Sequence, residues 1–222
     1  MTKSEFEKIL TECCTELTKE ARSVGFKASA QFENRVREIL AKVAKSNKQA
    51  LNIEFNPRPQ AFPDIAMGEY GVEVKFTLND TWRSIANSVL ETQRIDGVKY
   101  IYIVFGKMGG VPEVRWGEYE QSVIHVRTSH VPRFEIELSF DKANAKVPLF
   151  EKIGIRYNDF RKLDMQEKMK YIRAYARKIH PDGRLWWIED KEDSNGHTTP
   201  IQVRLYTNLT IEEKTRLRAE AA

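Results

Sequence analysis

Along the first quarter of the chain, apolar residues recur every three or four positions. Phe6, Ile9, Leu10, Cys13, Cys14 and Leu17 form one such stripe and predict an amphipathic helix ending near Gly25. Phe32, Val36, Ile39, Leu40 and Val43 form a second, on a helix expected over residues 29–45. The period then drops to two. From Val72 onward a strand would set Val72, Val74 and Phe76 on one face and Glu73, Lys75 and Thr77 on the other. A short apolar run follows Pro63-Asp64, and glycines between 68 and 71 suit a tight turn, so the two runs predict a hairpin bringing Asp64 near Glu73. Asn79 and Asp80 are good helix-capping residues, and Trp82, Ile85, Ala86, Val89 and Leu90 then follow at helical spacing, which predicts a helix to about Arg94. Residues 98–105 are almost continuously β-branched or aromatic and read as a buried central strand. Strand, helix and strand make a βαβ unit with parallel strands and a right-handed crossover, and the acidic strand lies inside a covered sheet.

The later pattern is more broken. The glycine-rich run 106–110 lacks the order of a phosphate-binding loop and reads as a flexible turn. Short strands are expected at 113–116 and 133–139, with a loop over 121–132 between them. Residues 150–157 are mixed, and 159–179 predict a strong helix stopped by His180-Pro181-Asp182-Gly183. Beyond it, 185–188 with Trp186 and Trp187 reads as core, 189–196 as an acidic loop, 201–206 as a strand, and Thr210 as the start of a terminal helix.

Composition narrows the class. At 222 residues the chain suits one domain with a substantial core, divided into N-terminal helices (1–48), a core sheet and helix (49–140) and a C-terminal extension (141–222) with elements for DNA binding and dimerisation. The net charge of +4, from 36 basic and 32 acidic side chains, permits a nucleic-acid partner but excludes a histone-like binder. Residues 151–180 concentrate nine Lys or Arg against four Asp or Glu, which suits a DNA backbone or simply a solvated face. There is no signal-peptide core and no apolar run near the ~18 residues of a membrane span, so a cytoplasmic protein with no membrane partner is expected. Adjacent Cys13 and Cys14 suit packing rather than a disulfide or zinc.

The chemistry concentrates at the hairpin. Asp64, Glu73 and Lys75 would converge at a strand end, two carboxylates and an amine forming a hard-cation site with a proton-handling group beside it. The plain alternatives are a turn carboxylate for Asp64 and the solvated face of an edge strand for Glu73 and Lys75.

Pro63-Asp64 followed by Glu73-Val74-Lys75 resembles the PD-(D/E)XK nuclease superfamily, best known from type II restriction endonucleases. The resemblance covers about one strand pair and its flanking elements. It implies an α/β fold with a restriction-endonuclease-like core, a central mixed β-sheet flanked by helices on both faces, and a C-terminal helical/β extension. By the same resemblance Asp64, Glu73 and the Val74 carbonyl hold Mg²⁺, and Lys75 orients or deprotonates the attacking water. Glu33, on the preceding helix, matches an acidic residue that reaches the metal site in many members and would bind or orient a second ion. Its other reading is a surface glutamate paired with Arg37 one turn on. The implied activity is site-specific cleavage of double-stranded DNA to 5′-phosphate and 3′-hydroxyl ends by a homodimer, paired in function with a cognate DNA methyltransferase. Asn79, Arg83, Arg115, Arg127, His130 and Arg133 are the candidate DNA contacts. Two other functions fit the same residues: a repair or junction-resolving nuclease of the same fold, and a non-catalytic DNA-binding module.

Overall fold

The computed structural model describes residues 1–47, 53–54, 61–90, 95–127, 132–138 and 146–179. Helix α1 (Lys3–Ser23) opens on a capping box, in which the Thr2 hydroxyl accepts the Glu5 N–H and the Glu5 carboxylate accepts the Thr2 N–H. Helix α2 is Ser29–Ser46. Both helices bury the stripes that their sequences mark, and Cys13 and Cys14 are buried free thiols.

The strands are β1 (Ile53–Glu54), β2 (Ile65–Met67), β3 (Tyr70–Thr77), β4 (Arg83–Ser88), β5 (Tyr100–Lys107), β6 (Glu113–Glu118), β7 (Val123–Arg127) and β8 (Arg133–Glu137). Five of them form a mixed sheet in the order β1-β2-β3-β5-β6, in which only β3 and β5 run parallel. The other three form an antiparallel sheet in the order β4-β8-β7. Short helices α3 (Tyr119–Ser122), α4 (Leu149–Ile153) and α5 (Tyr157–Phe160) follow strands of the two sheets, and α6 is Met165–Ile179. The chain divides into two compact units, Met1–Phe160 and Arg161–Ala222. Among the described residues no helix is long and apolar enough to cross a membrane.

In the first unit, α1 and α2 cover one face of the mixed sheet. Val72 of β3, Tyr102 and Val104 of β5 and Val114 of β6 join the helix stripes in one core, with Val74 and Phe76 packed against it. Full burial of each such side chain stabilises the fold by about 1.5–3 kcal/mol. Gly106 makes the close approach of α2 feasible, because a Cβ there would lie 2.6 Å from the Phe32 ring. On the opposite face Phe105 meets Trp82 edge-on at 5.6 Å. Aromatic contacts continue through Tyr119 and Tyr157 at 5.0 Å, and Phe134 and Phe150 at 5.6 Å.

The structure departs from the sequence pattern in four places. The segment expected as a crossover helix instead contains strand β4, so β3 and β5 are parallel as expected but joined through the second sheet. Thr81, Ser84, Asn87 and Ser88 are weak helix formers, and the ladder to β8, with Arg83 opposite Glu137 and Ile85 opposite Glu135, outweighs the helical spacing of the apolar residues. Among the described residues of the first unit, no long helix lies on the opposite face of the mixed sheet. The loop expected over 121–132 instead contains the end of α3 and strand β7, which buries Val123, Ile124 and Val126.

The run 106–110 is a tightly held turn. Lys107 is buried at the end of β5, where its ammonium donates to the carbonyls of Gly109 (2.9 Å) and Val111 (3.2 Å) and to the Asp80 carboxylate. Finally, the helix expected over 159–179 is two helices. Asp164 ends the break by capping α6, its carboxylate accepting the Glu167 N–H at 2.8 Å. The expected elements at 185–188, 189–196, 201–206 and beyond Thr210 lie outside the described residues.

Candidate active site

The site begins where β2 ends its pairing with β3. The hairpin ladder runs from Met67 opposite Tyr70 to Ile65 opposite Val72 and goes no further. The next N–H on that edge of β3 belongs to Val74, and the Asp64 carboxylate takes it at 2.7 Å, where the ladder to β2 has ended. A residue's N–H and C=O leave a strand on the same side, so the Val74 carbonyl faces the same edge. Pro63 is pressed onto the sheet to reach this position. A Cβ on Gly71 would lie 2.3 Å from the Pro63 Cγ, so only glycine admits that approach.

Glu73 and Lys75 project on the face away from α1 and α2. Glu73 is only 6 % exposed, and the Lys75 ammonium donates to its Oε1 at 2.8 Å. Burial is the main cause that pushes the Glu73 carboxyl up to about 7; the charge of Asp64 adds to it and Lys75 opposes it. Burial also raises Asp64, against the pull of the Val74 N–H, Lys75 and Arg37. The hairpin thus delivers two desolvated carboxylates and a lysine to one strand end.

Glu33 borders the same cluster from α2. It is half-buried, and burial and the Asp64 charge raise its pKa while Arg37 and Lys75 lower it. It is bonded to Arg37, whose Nη2 also donates to the Asp64 main-chain oxygen at 3.1 Å. Arg37 is the residue whose place the sequence understates. Its only signal is the four-residue offset from Glu33, which equally describes a surface pair.

The donor set suits a hard divalent cation. Asp64, Glu73 and the Val74 carbonyl offer oxygen only, and Mg²⁺ commonly takes one or two carboxylates and completes its shell with water and phosphate oxygens. Among the described residues no three Asp, Glu, His or Cys side chains converge closely enough to enclose a metal by themselves. A groove of about 940 Å³ between α1 and β6 in the first unit is lined by none of these residues. The desolvated carboxylates mark the chemistry here better than cavity size does.

The candidate DNA contacts divide. Lys75 pairs in register with Phe105 and Phe105 with Arg115, so Arg115 stands level with Lys75 on the same face of the sheet. It is bonded to both oxygens of Glu113, at 2.8 and 2.9 Å, and stacks on Trp82 at 4.3 Å. Asn79 is exposed just past the end of β3, its N–H donating to the Thr77 hydroxyl at 3.1 Å. Arg83, Arg127 and Arg133 lie on the second sheet instead. Arg83 pairs with Glu137 at 2.8 Å and Arg127 with Glu135 at 3.3 Å, while Arg133 is exposed opposite Arg127. His130 lies outside the described residues. No protein-family model matches this chain, and no curated protein is similar enough to be a relative.

Proposed function

We propose that the chain is a metal-dependent nuclease of the PD-(D/E)XK superfamily that hydrolyses DNA phosphodiester bonds. Within that class we assign it to the type II restriction endonucleases, with a restriction-endonuclease-like core. It would be a homodimer cutting double-stranded DNA at a specific site, leaving 5′-phosphate and 3′-hydroxyl ends, beside a cognate methyltransferase that protects the host's own sites. The observation that carries this reading is the bond from Val74 N–H to Asp64, which seats one carboxylate beside the strand that bears Glu73 and Lys75.

Asp64 and Glu73, with the Val74 carbonyl, would hold Mg²⁺. When bound, the ion supplies positive charge for the phosphate oxygens and acidifies water. Lys75 would orient the attacking water or accept its proton and neutralise charge that develops on the phosphorane. Its bond to Glu73 holds the ammonium at the strand end where that charge would appear. Asp64 has two tasks, since one of its oxygens also fixes the edge of β3.

The deciding experiment incubates the purified protein with unmethylated phage DNA and Mg²⁺, alongside chelator and Asp64→Ala. Discrete metal-dependent fragments that vanish in the mutant are expected, and equal fragmentation by the mutant would remove the site. One observation favours a second reading. Arg83, Arg115 and Arg127 each already hold a carboxylate, which leaves fewer of their donors for bidentate contacts to base edges. A repair or junction-resolving nuclease would leave intact duplex uncut and cleave branched or damaged DNA. Binding without cleavage of any of these would mark a non-catalytic module.

A further inference from the structure

Arg37 is more than the surface partner of Glu33. An exposed ion pair one helical turn apart keeps its remaining donors in water. Here the guanidinium is largely buried, one Nη serves both the Glu33 carboxylate and the Asp64 main chain, and Nε is shut away from solvent with no acceptor. Burying a donor unpaired is a cost that a surface ion pair does not offset. The position is therefore set by what the group holds.

The charges lead to the same place. Two carboxylates, Glu33 and Glu73, each feel the charge of a third, Asp64, alongside two cations, Arg37 and Lys75. With all of them ionised, the cluster carries one net negative charge. One divalent cation and one phosphodiester bring it to neutrality, whereas a second divalent cation would leave it strongly positive and would have to share the Glu33 carboxylate with Arg37, which already holds one of its two oxygens.

We propose that Arg37 stands in place of a second metal ion, holding Glu33 and the Asp64 main chain so that the Asp64–Glu73 pair takes a single divalent cation. Arg37 is thus a positioning residue, and Glu33 acts through it rather than on the ion. This inference rests on the metal-dependent nuclease reading above.

The test counts Mn²⁺ bound per chain by electron paramagnetic resonance on the full-length protein. Variants are Glu33→Gln, Arg37→Lys, Arg37→Met and the double Glu33→Gln/Arg37→Met, each checked for folding by circular dichroism. One ion is expected for the wild type, for Glu33→Gln and for Arg37→Lys, which keeps the cation. Arg37→Met should bind two, and the double variant one again. Two ions in the wild type with one lost in Glu33→Gln would overturn the proposal, as would a folded Arg37→Met that binds only one. Should Arg37→Met fail to fold, the Glu33→Gln count decides alone, since loss of an ion there overturns it. No Mn²⁺ on the wild type would sink the nuclease reading and this proposal with it. Ions that disappear in Asp64→Ala uphold that reading whichever way Arg37 falls.

Discussion

Glu73 and Asp64 differ in how the fold treats them. Glu73 is desolvated on its strand face and is compensated first by Lys75 and then by the Asp64 main chain, whereas Asp64 is compensated first by the Val74 N–H and then by Lys75. Asp64→Ala and Glu73→Ala should each abolish cleavage while circular dichroism stays native. Lys75→Ala should bind DNA in a gel-shift assay but not turn it over; wild-type activity in any of the three would remove that residue from the site. Glu73 also makes a pH prediction. Its folded-state pKa of about 7 lies above the ordinary 4.5, so the fold prefers the protonated carboxyl. That contribution is full below the ordinary value and is lost as pH rises through about 7. In chelator, Glu73→Gln should unfold at about the wild-type temperature at pH 4. At pH 8 it should be more stable, by no more than about 3 kcal/mol. Equal melting temperatures at pH 8 would show that the carboxylate is not strained by burial. Divalent-cation affinity should fall as pH drops below 7, because protons then compete for the same oxygens.

At the scale of elements, β3 is the central piece. One of its faces joins the core shared with α1 and α2, its other face carries the candidate chemistry, and its edge beyond Val72, where the ladder to β2 has ended, is met by the Asp64 side chain. How α2 lies on the sheet therefore bears on the site. Gly106→Val would drive a branched side chain into the Phe32 ring, where α2 lies against β5. Overpacking of this kind typically costs about 1–3 kcal/mol. Because α2 carries Glu33 and Arg37, cleavage should fall as well as the melting temperature. A variant that melts with the wild type would mean that α2 can shift freely, contrary to the packing seen here.

For the whole molecule, the two-sheet arrangement separates the Arg83, Arg127 and Arg133 strands from the sheet that carries the carboxylates. A restriction enzyme cutting both strands of a symmetric site needs two copies of the site. Sedimentation at micromolar concentration should give the mass of a dimer, twice the 25.8 kDa chain. A monomer with full cleavage activity would favour the structure-reading nuclease. DNA affinity in chelator should also fall steeply with salt, since phosphate contacts release counterions. A salt-independent affinity would argue against DNA as the partner.

The first two helices, the hairpin and strand β5 were legible in the sequence because each satisfies its own period over many residues, and no distant partner is needed to choose between helix and strand. The meeting of Asp64 with Glu73 and Lys75 was legible for the same reason, since a short turn fixes the register of a hairpin. Strand β4 was not legible. Its apolar spacing fits a helix, and only pairing with β8, some fifty residues later, makes extended backbone the better choice. The buried lysine in the turn after β5 was hidden likewise, because its acceptors are carbonyls and a carboxylate brought together by the fold. Sequence by itself determined which residues carry the candidate chemistry; tertiary structure decided what surrounds them. It placed Arg37 between Glu33 and the Asp64 main chain, and it set the desolvation that raises Glu73, because burial and charge balance are sums over neighbours that local periodicity does not contain.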